Sequence, residues 1–213
     1  MKYFVPLVLL CSLIGCNSQS TTPEGFDYGS IEKGVYRNHF FNFSIDVPED
    51  WSVQSDEMMD ELSEAGTDMI AGDNKSLKQD LDAAEINTAY LLTVFKYEVG
   101  APVDFNPSYL FVAENLSMAP TIRNGKDYLE ESKKLLQQAA VEYQFPPVEQ
   151  PVVNLGGKEF YVMNTVMEYI GTKIEQTYYA CIDQNFALTC IISYSGEAQK
   201  QELETLLSSI KFL

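Results

Sequence analysis

Reactive chemistry has few places to start in this 213-residue chain: one histidine, four cysteines, and 31 carboxylates against 14 lysines and arginines. Any Ser-His-Asp or Cys-His system has to use His39, which sits between Asn38 and Phe40, and no G-x-S-x-G or comparable nucleophile motif occurs. One imidazole with scattered thiols makes no familiar zinc spacing, and Gly156-Gly157 signals a turn rather than a phosphate cradle. These residues predict no catalytic site, no metal and no cofactor. Carboxylates gather at Asp46, Glu49 and Asp50 and again at Asp56, Glu57, Asp60, Glu61 and Glu64. Calcium needs several oxygens converging from a loop, as in the EF-hand spacing, which is absent, so a solvated helix face is the favoured account. An acidic divalent-cation module and an enzyme with an unfamiliar site stay open as alternatives. Met58, Met59 and Met69 fall at helical spacing, where methionine is core filler more often than a soft-metal ligand.

Cys181 and Cys190 flank a turn at 183–185. A turn centred there sets Cys181 opposite Ala187 and Cys190 opposite Tyr178, with the thiols on opposite faces. A one-residue shift puts them on one face but diagonally, about 7–8 Å apart, beyond comfortable disulfide reach. An oxidising compartment argues for a bond and the geometry against it. Two buried free thiols are the expectation.

Cys16 has a different context. Lys2 and an apolar run over residues 3–10 lead into Leu13-Ile14-Gly15-Cys16, the layout of an export signal too short to stay as a membrane span. The last four residues resemble the bacterial lipobox, which implies that residues 1–15 are removed and that Cys16 becomes the acylated first residue. Two or three acyl chains suffice for stable anchoring where one is marginal. The resemblance implies a lipid-anchored protein of the bacterial cell envelope. Asn17, where a retention signal would have Asp, favours the outer membrane facing the periplasm in a Gram-negative host. In a Gram-positive host the place is the outer face of the cytoplasmic membrane. Residues 16–34 then read as the lipidated Cys and a flexible tether, with 17–22 disordered. The net charge of −17 repels phosphate backbones, so nucleic acid is excluded as a partner.

The elements that must position any site follow in residues 35–213. Phe41, Phe43, Ile45 and Val47 alternate with polar residues as a half-buried strand that Pro48 ends, and Trp51 is expected to anchor the core beyond it. Met58, Leu62, Ala65 and Met69 mark one helical face. Ser76 with Gln79 suggests a capping box for a second helix. Residues 89–99 read as a long central strand, and 109–113 as the next. Asn124 caps a helix expected to run to about Tyr143, buried through Tyr128, Ser132, Leu135, Leu136, Ala139 and Tyr143, with an exposed Glu130–Lys134 pair and a stop at Pro146-Pro147. Residues 152–155 and 160 onward form a hairpin through Gly156-Gly157. A meander of three strands follows over 160–169, 174–182 and 186–194. Both parities of these strands are apolar, so both faces of the sheet need cover. Ser195 is expected to cap a last helix that packs through Leu203, Leu206, Leu207 and Ile210.

The aromatic-x-aromatic-Ser-Ile strand, then Pro and Trp, with the C-terminal meander, closing helix and Leu207-Ser208-Ser209-Ile210-Lys211-Phe212 ending, resembles the PsbP-like family. That superfamily also holds a Ran-GTPase-binding factor and lipoproteins of the DcrB type. The resemblance implies an α+β fold, an α/β/α sandwich around a largely antiparallel sheet. It brings no catalytic motif, and residues 55–85 depart from it. The function it implies is a non-enzymatic binding or assembly module, whose partner is another envelope protein or a small ligand, with the membrane reached through Cys16.

Overall fold

The computed structural model describes residues 23–213. Leu13, Ile14, Gly15, Cys16, the rest of the export signal and the 17–22 stretch lie outside the described residues. The chain runs β1 (Ser30–Glu32), β2 (Val35–Asn38), β3 (Phe43–Asp46), β4 (Ser52–Val53), α1 (Asp56–Ala71), α2 (Lys75–Ile86), β5 (Thr88–Phe95) and β6 (Ser108–Asn115). It continues with α3 (Gly125–Leu136), β7 (Tyr143–Gln144), β8 (Val152–Leu155), β9 (Lys158–Tyr169), β10 (Thr172–Asp183), β11 (Phe186–Tyr194), α4 (Glu197–Leu207) and β12 (Lys211–Phe212).

Turn chemistry sets the frame. Lys33-Gly34, Gly156-Gly157, Ile170-Gly171 and Gln184-Asn185 have positive φ at both positions, the mirror-image turns whose twist matches that of the strands they join. Each links strands paired from the residues flanking it: Glu32 with Val35, Leu155 with Lys158, Tyr169 with Thr172 and Asp183 with Phe186. The resulting sheets are β1-β2-β3-β12 and β4-β5-β6-β11-β10-β9-β7, with β8 also on β9, and their pairings are antiparallel.

On its inner face the large sheet presents Phe160, Tyr179, Cys181, Phe186, Leu188, Cys190, Ile192, Tyr109 and Phe111. Phe43 and Ile45 of the small sheet, Trp51, and Leu203 and Leu207 of α4 close over it as one core. The Phe43 and Phe111 rings lie 5.1 Å apart and those of Trp51 and Tyr109 6.0 Å apart. On the outer face Leu129 and Leu136 of α3 pack on Met163 and Ala180, with Ile70 from the end of α1 alongside. Helical cover, antiparallel sheet and a mixed second cover make this the expected α+β sandwich.

Several local expectations need correction. The meander turns on two residues rather than three. Cys181 therefore faces Leu188, and Cys190 faces Tyr179. That puts both thiols on the inner face, diagonally placed, instead of on opposite faces, and both are free and buried. β5 stops at Phe95 and lies next to the edge strand β4, while β11 takes the central place. The third helix ends at Leu136 because Tyr143 and Gln144 pair with Met167 and Val166 of β9, so Pro146-Pro147 does not terminate it. Its ion pairs are Lys126–Glu130 and Lys134–Glu131, not Glu130–Lys134. Asn74, not Ser76, caps α2 through its side chain. Gly196 opens α4 with no side-chain cap, and the Ser195 N–H donates to Gln199. Met59 rather than Met58 is the buried methionine near the start of α1, and Ala65 is exposed. Within the stretch read as tether, β1 pairs with β2 and Phe26 packs on Phe40, Phe41 and Phe186.

Candidate functional site

The residues singled out for chemistry do not converge. His39 is exposed, and its backbone N–H donates to Asp27 Oδ2 at 2.7 Å. That bond and a second from the Gly29 N–H hold the Asp27 carboxyl below its ordinary range. Burial pushes the Cys181 thiol up to about 12 and raises Cys190 as well, which leaves both as unreactive thiols at neutral pH. Asp46, Glu49, Asp50, Asp56, Glu57, Asp60, Glu61 and Glu64 are all exposed. Among the described residues no three His, Cys, Asp or Glu side chains come together as a possible metal site. No described helix is long and apolar enough to cross a membrane.

A groove forms instead between α3 and the β8–β9 hairpin. Asn124 starts α3 by accepting from the Asp127 N–H at 3.0 Å, and Asp127 in turn accepts from the Arg123 N–H at 3.0 Å. These bonds satisfy donors that a helix start leaves open. Gly125 then lets α3 lie hard against β10: a Cβ there would stand 2.0 Å from the Ala180 carbonyl oxygen. One turn on, the Tyr128 hydroxyl donates to Glu114 Oε2 at 2.9 Å. Burial raises the Glu114 carboxyl above its ordinary range, while the Tyr128 bond works to lower it. Burial is also the first cause of the raised Tyr128 phenol. These contacts pin the first half of α3 over β6 and β10.

Farther out, α3 leaves part of β9 uncovered. The gap is a cleft of about 360 Å³ floored by Leu129, Val152, Tyr161 and Met163 and closed at one side by Pro151. Lys126, Glu130 and Lys133, spaced to share one helix face, form its rim. Lys126 and Glu130 are 3.8 Å apart and each about two-thirds exposed. The Lys133 ammonium lies 4.9 Å from the centre of the Phe145 ring. A smaller cleft of about 220 Å³ lies where β5 bulges between Tyr90 and Leu92, bordered by Gln54, Met59, Tyr36 and Ile31.

Sequence reasoning missed this groove. A signal was present in the Lys126, Glu130 and Lys133 row beside the apolar Leu129 and Leu136. What was not visible is that the β8–β9 hairpin comes to face that row, with Pro151, Val152, Tyr161 and Met163 lining the same groove.

The α+β architecture, a large antiparallel sheet covered by helices on one face and by a small sheet and a helix on the other, is a PsbP-like fold. The particular likeness is to the solution structure of cyanobacterial PsbP (CyanoP) from Synechocystis sp. PCC 6803, at 12% identity over 87% of this chain and 98% of that one, with a TM-score of 0.51. Two further solved structures are more distant. A Bacteroides thetaiotaomicron VPI-5482 protein matches at 14% identity over 81% of this chain, with a TM-score of 0.41, and this chain spans only 45% of its length. The type VI secretion immunity protein TplEi of Pseudomonas aeruginosa, solved with an "L" peptide, matches at 10% identity over 85% of this chain and 99% of that one, with a TM-score of 0.39. No protein-family model and no curated protein matches the sequence.

Proposed function

We propose that this chain is a lipid-anchored protein of the bacterial cell envelope whose PsbP-like domain is a non-enzymatic binding module, with the α3/β8–β9 groove as its ligand site. The anchor reading rests on Leu13-Ile14-Gly15-Cys16 and its apolar lead. The binding reading is carried by one observation, an apolar groove of about 360 Å³ with a few charged groups at its rim. Cavities of this size and make-up are the ordinary form of small-ligand sites. The polar residues lining it are Lys126, Glu130, Lys133 and Tyr161, which can supply positioning and charge.

Two measurements on the intact protein in native membranes test this. Mass spectrometry of the N-terminal peptide is expected to find Cys16 as the first residue, carrying acyl chains. An unmodified chain retaining residues 1–15 removes the anchor. A photoreactive residue at Val152 is expected to form an adduct that the same residue at Asp60, on the exposed face of α1, does not form. Equal yields at the two positions remove the groove as the binding site.

A further inference from the structure

Two loops project from one end of the large sheet. Phe95, Ser108, Ser193 and Gln176 form a paired row across β5, β6, β11 and β10. Beyond that row stand the β5–β6 connection over 96–107 and the β9–β10 hairpin with its Ile170-Gly171 turn. The hairpin overshoots β11, whose last residue, Tyr194, pairs with Glu175. One strand separates β6 from β10, so the two projections stand about 10 Å apart at their bases. They expose five large apolar side chains: Tyr97, Val99 and Val103 at 40–44%, Tyr169 at 41% and Ile170 at 86%.

At Ile170 the side chain and the backbone want different things. The residue takes the first central position of a mirror-image turn at φ 49°, a place suited to Asn, Asp or Gly. A β-branched side chain is strained there, and Ile170 is the only β-branched residue among the described non-glycine residues with positive φ. Being almost wholly in solvent, it gains no packing within the domain to offset that strain. Strain held at an exposed apolar residue points to a contact outside the folded chain.

Charge and position narrow what makes that contact. Residues 96–107 and 168–175 hold four carboxylates, Glu98, Asp104, Glu168 and Glu175, against Lys96 and Lys173. Both lysines are already in ion pairs, with Glu202 at 2.7 Å and with Glu175 at 3.0 Å. A second copy would set the same acidic surface against this one, and anionic headgroups are repelled in the same way. The chain enters the described domain at the other end, where Phe26 packs on Phe186 at the start of β11. The 12 residues of β10 separate the two ends by about 40 Å. Resting on the Cys16 anchor proposed above, this places the two loops at the end of the domain away from its attachment.

We infer that the two loops form a docking surface for a second protein of the envelope. Ile170 and Tyr169, with Tyr97, Val99 and Val103, enter an apolar pocket whose surround carries lysine or arginine.

The test uses the full chain in native membranes, with a photoreactive residue at Val99 and, as a control, at Asp60 on the exposed face of α1. A protein adduct is expected from Val99 and not from Asp60, and the linked peptide is expected to carry lysine or arginine among apolar residues. Ile170→Asn suits the turn and is expected to raise the melting temperature by about 2–4 °C. The same substitution is expected to lower the Val99 adduct about tenfold, whereas Ile170→Val leaves both readings near wild type. Raising sodium chloride from about 0.05 M to about 0.5 M is expected to lower the yield severalfold. A lower melting temperature for Ile170→Asn overturns the strain at this turn, and an adduct untouched by the substitution overturns the docking role. Equal yields at Val99 and Asp60 remove the surface. An adduct to lipid, or to a second copy of this chain, replaces the protein partner. A yield indifferent to salt overturns the cationic surround. These outcomes are separate from those at Cys16 and Val152: an unmodified Cys16 removes only the orientation, and a failed Val152 adduct removes only the groove.

Discussion

The two faces of the large sheet are built to different standards. The inner face is closed by the small sheet, Trp51 and α4, and its aromatic residues Tyr109, Phe111 and Phe160 are fully buried. The outer face carries one small apolar cluster of Leu129, Leu136, Met163 and Ala180. It also takes in a half-buried carboxylate with its phenol partner and leaves a groove open at its end. Stability is gathered where apolar area is sealed, and room for a ligand is left where the cover is a single helix set by a few polar contacts.

The largest effect is expected at the inner face. Trp51→Ala removes a side chain only 8% exposed, and the expected loss is about 3–5 kcal/mol, read by denaturant unfolding, with the whole transition shifting together. A loss below about 0.5 kcal/mol is what a surface site would show and removes Trp51 from the core. Met59→Ala, on the peripheral α1, is expected to cost less than Trp51→Ala in the same assay.

On the outer face the effects are expected to be smaller and to reach the groove. Gly125→Ala drives a Cβ into the Ala180 carbonyl; α3 has to lift, at about 1–3 kcal/mol, and groove labelling changes along with stability. Tyr128→Phe leaves Glu114 without its donor and is expected to cost about 1–3 kcal/mol. The pH dependence of Glu114 has a definite sign. Its folded pKa is raised, so the folded state holds the proton more tightly, and the stability this group contributes is full below the unfolded glutamate pKa. That contribution is lost as pH rises through the folded value. The stability difference between wild type and Glu114→Gln is therefore expected to turn against wild type on going from pH 4 to pH 7, as measured by urea unfolding at both. A difference that moves the other way places Glu114 in a setting that favours its charge.

The smallest effect sharpens the contrast. Lys126→Ala breaks an exposed 3.8 Å pair and is expected to change stability by under about 0.5 kcal/mol while altering the yield of the Val152 photo-adduct. A rim residue that matters to binding and not to folding is what a site beside a finished core requires.

By itself the sequence determined the meander strands and the Gly156-Gly157 hairpin, but not the Lys33-Gly34 hairpin, which lies in the stretch read as tether. Alternation in Phe41, Phe43, Ile45 and Val47, the β-branched and aromatic meander, and the turn dipeptides are local signals, written within a few residues of the structure they produce. The Asn124 cap and the buried stripe of Leu203, Leu207 and Ile210 are legible for the same reason. The tertiary structure decided matters that depend on distant partners. A helical pattern continues past Leu136, but Tyr143 and Gln144 gain strand bonds to β9 and leave it. The face shared by Cys181 and Cys190 depends on a one-residue choice at the Gln184-Asn185 turn, since a shift of one turns every side chain over. The groove exists because α3 is drawn to β10 at Gly125 and to Glu114 at Tyr128, while β8 follows β9 outward. The space left between a helix and a hairpin is set by packing from three separate parts of the chain, and no local run of residues encodes it.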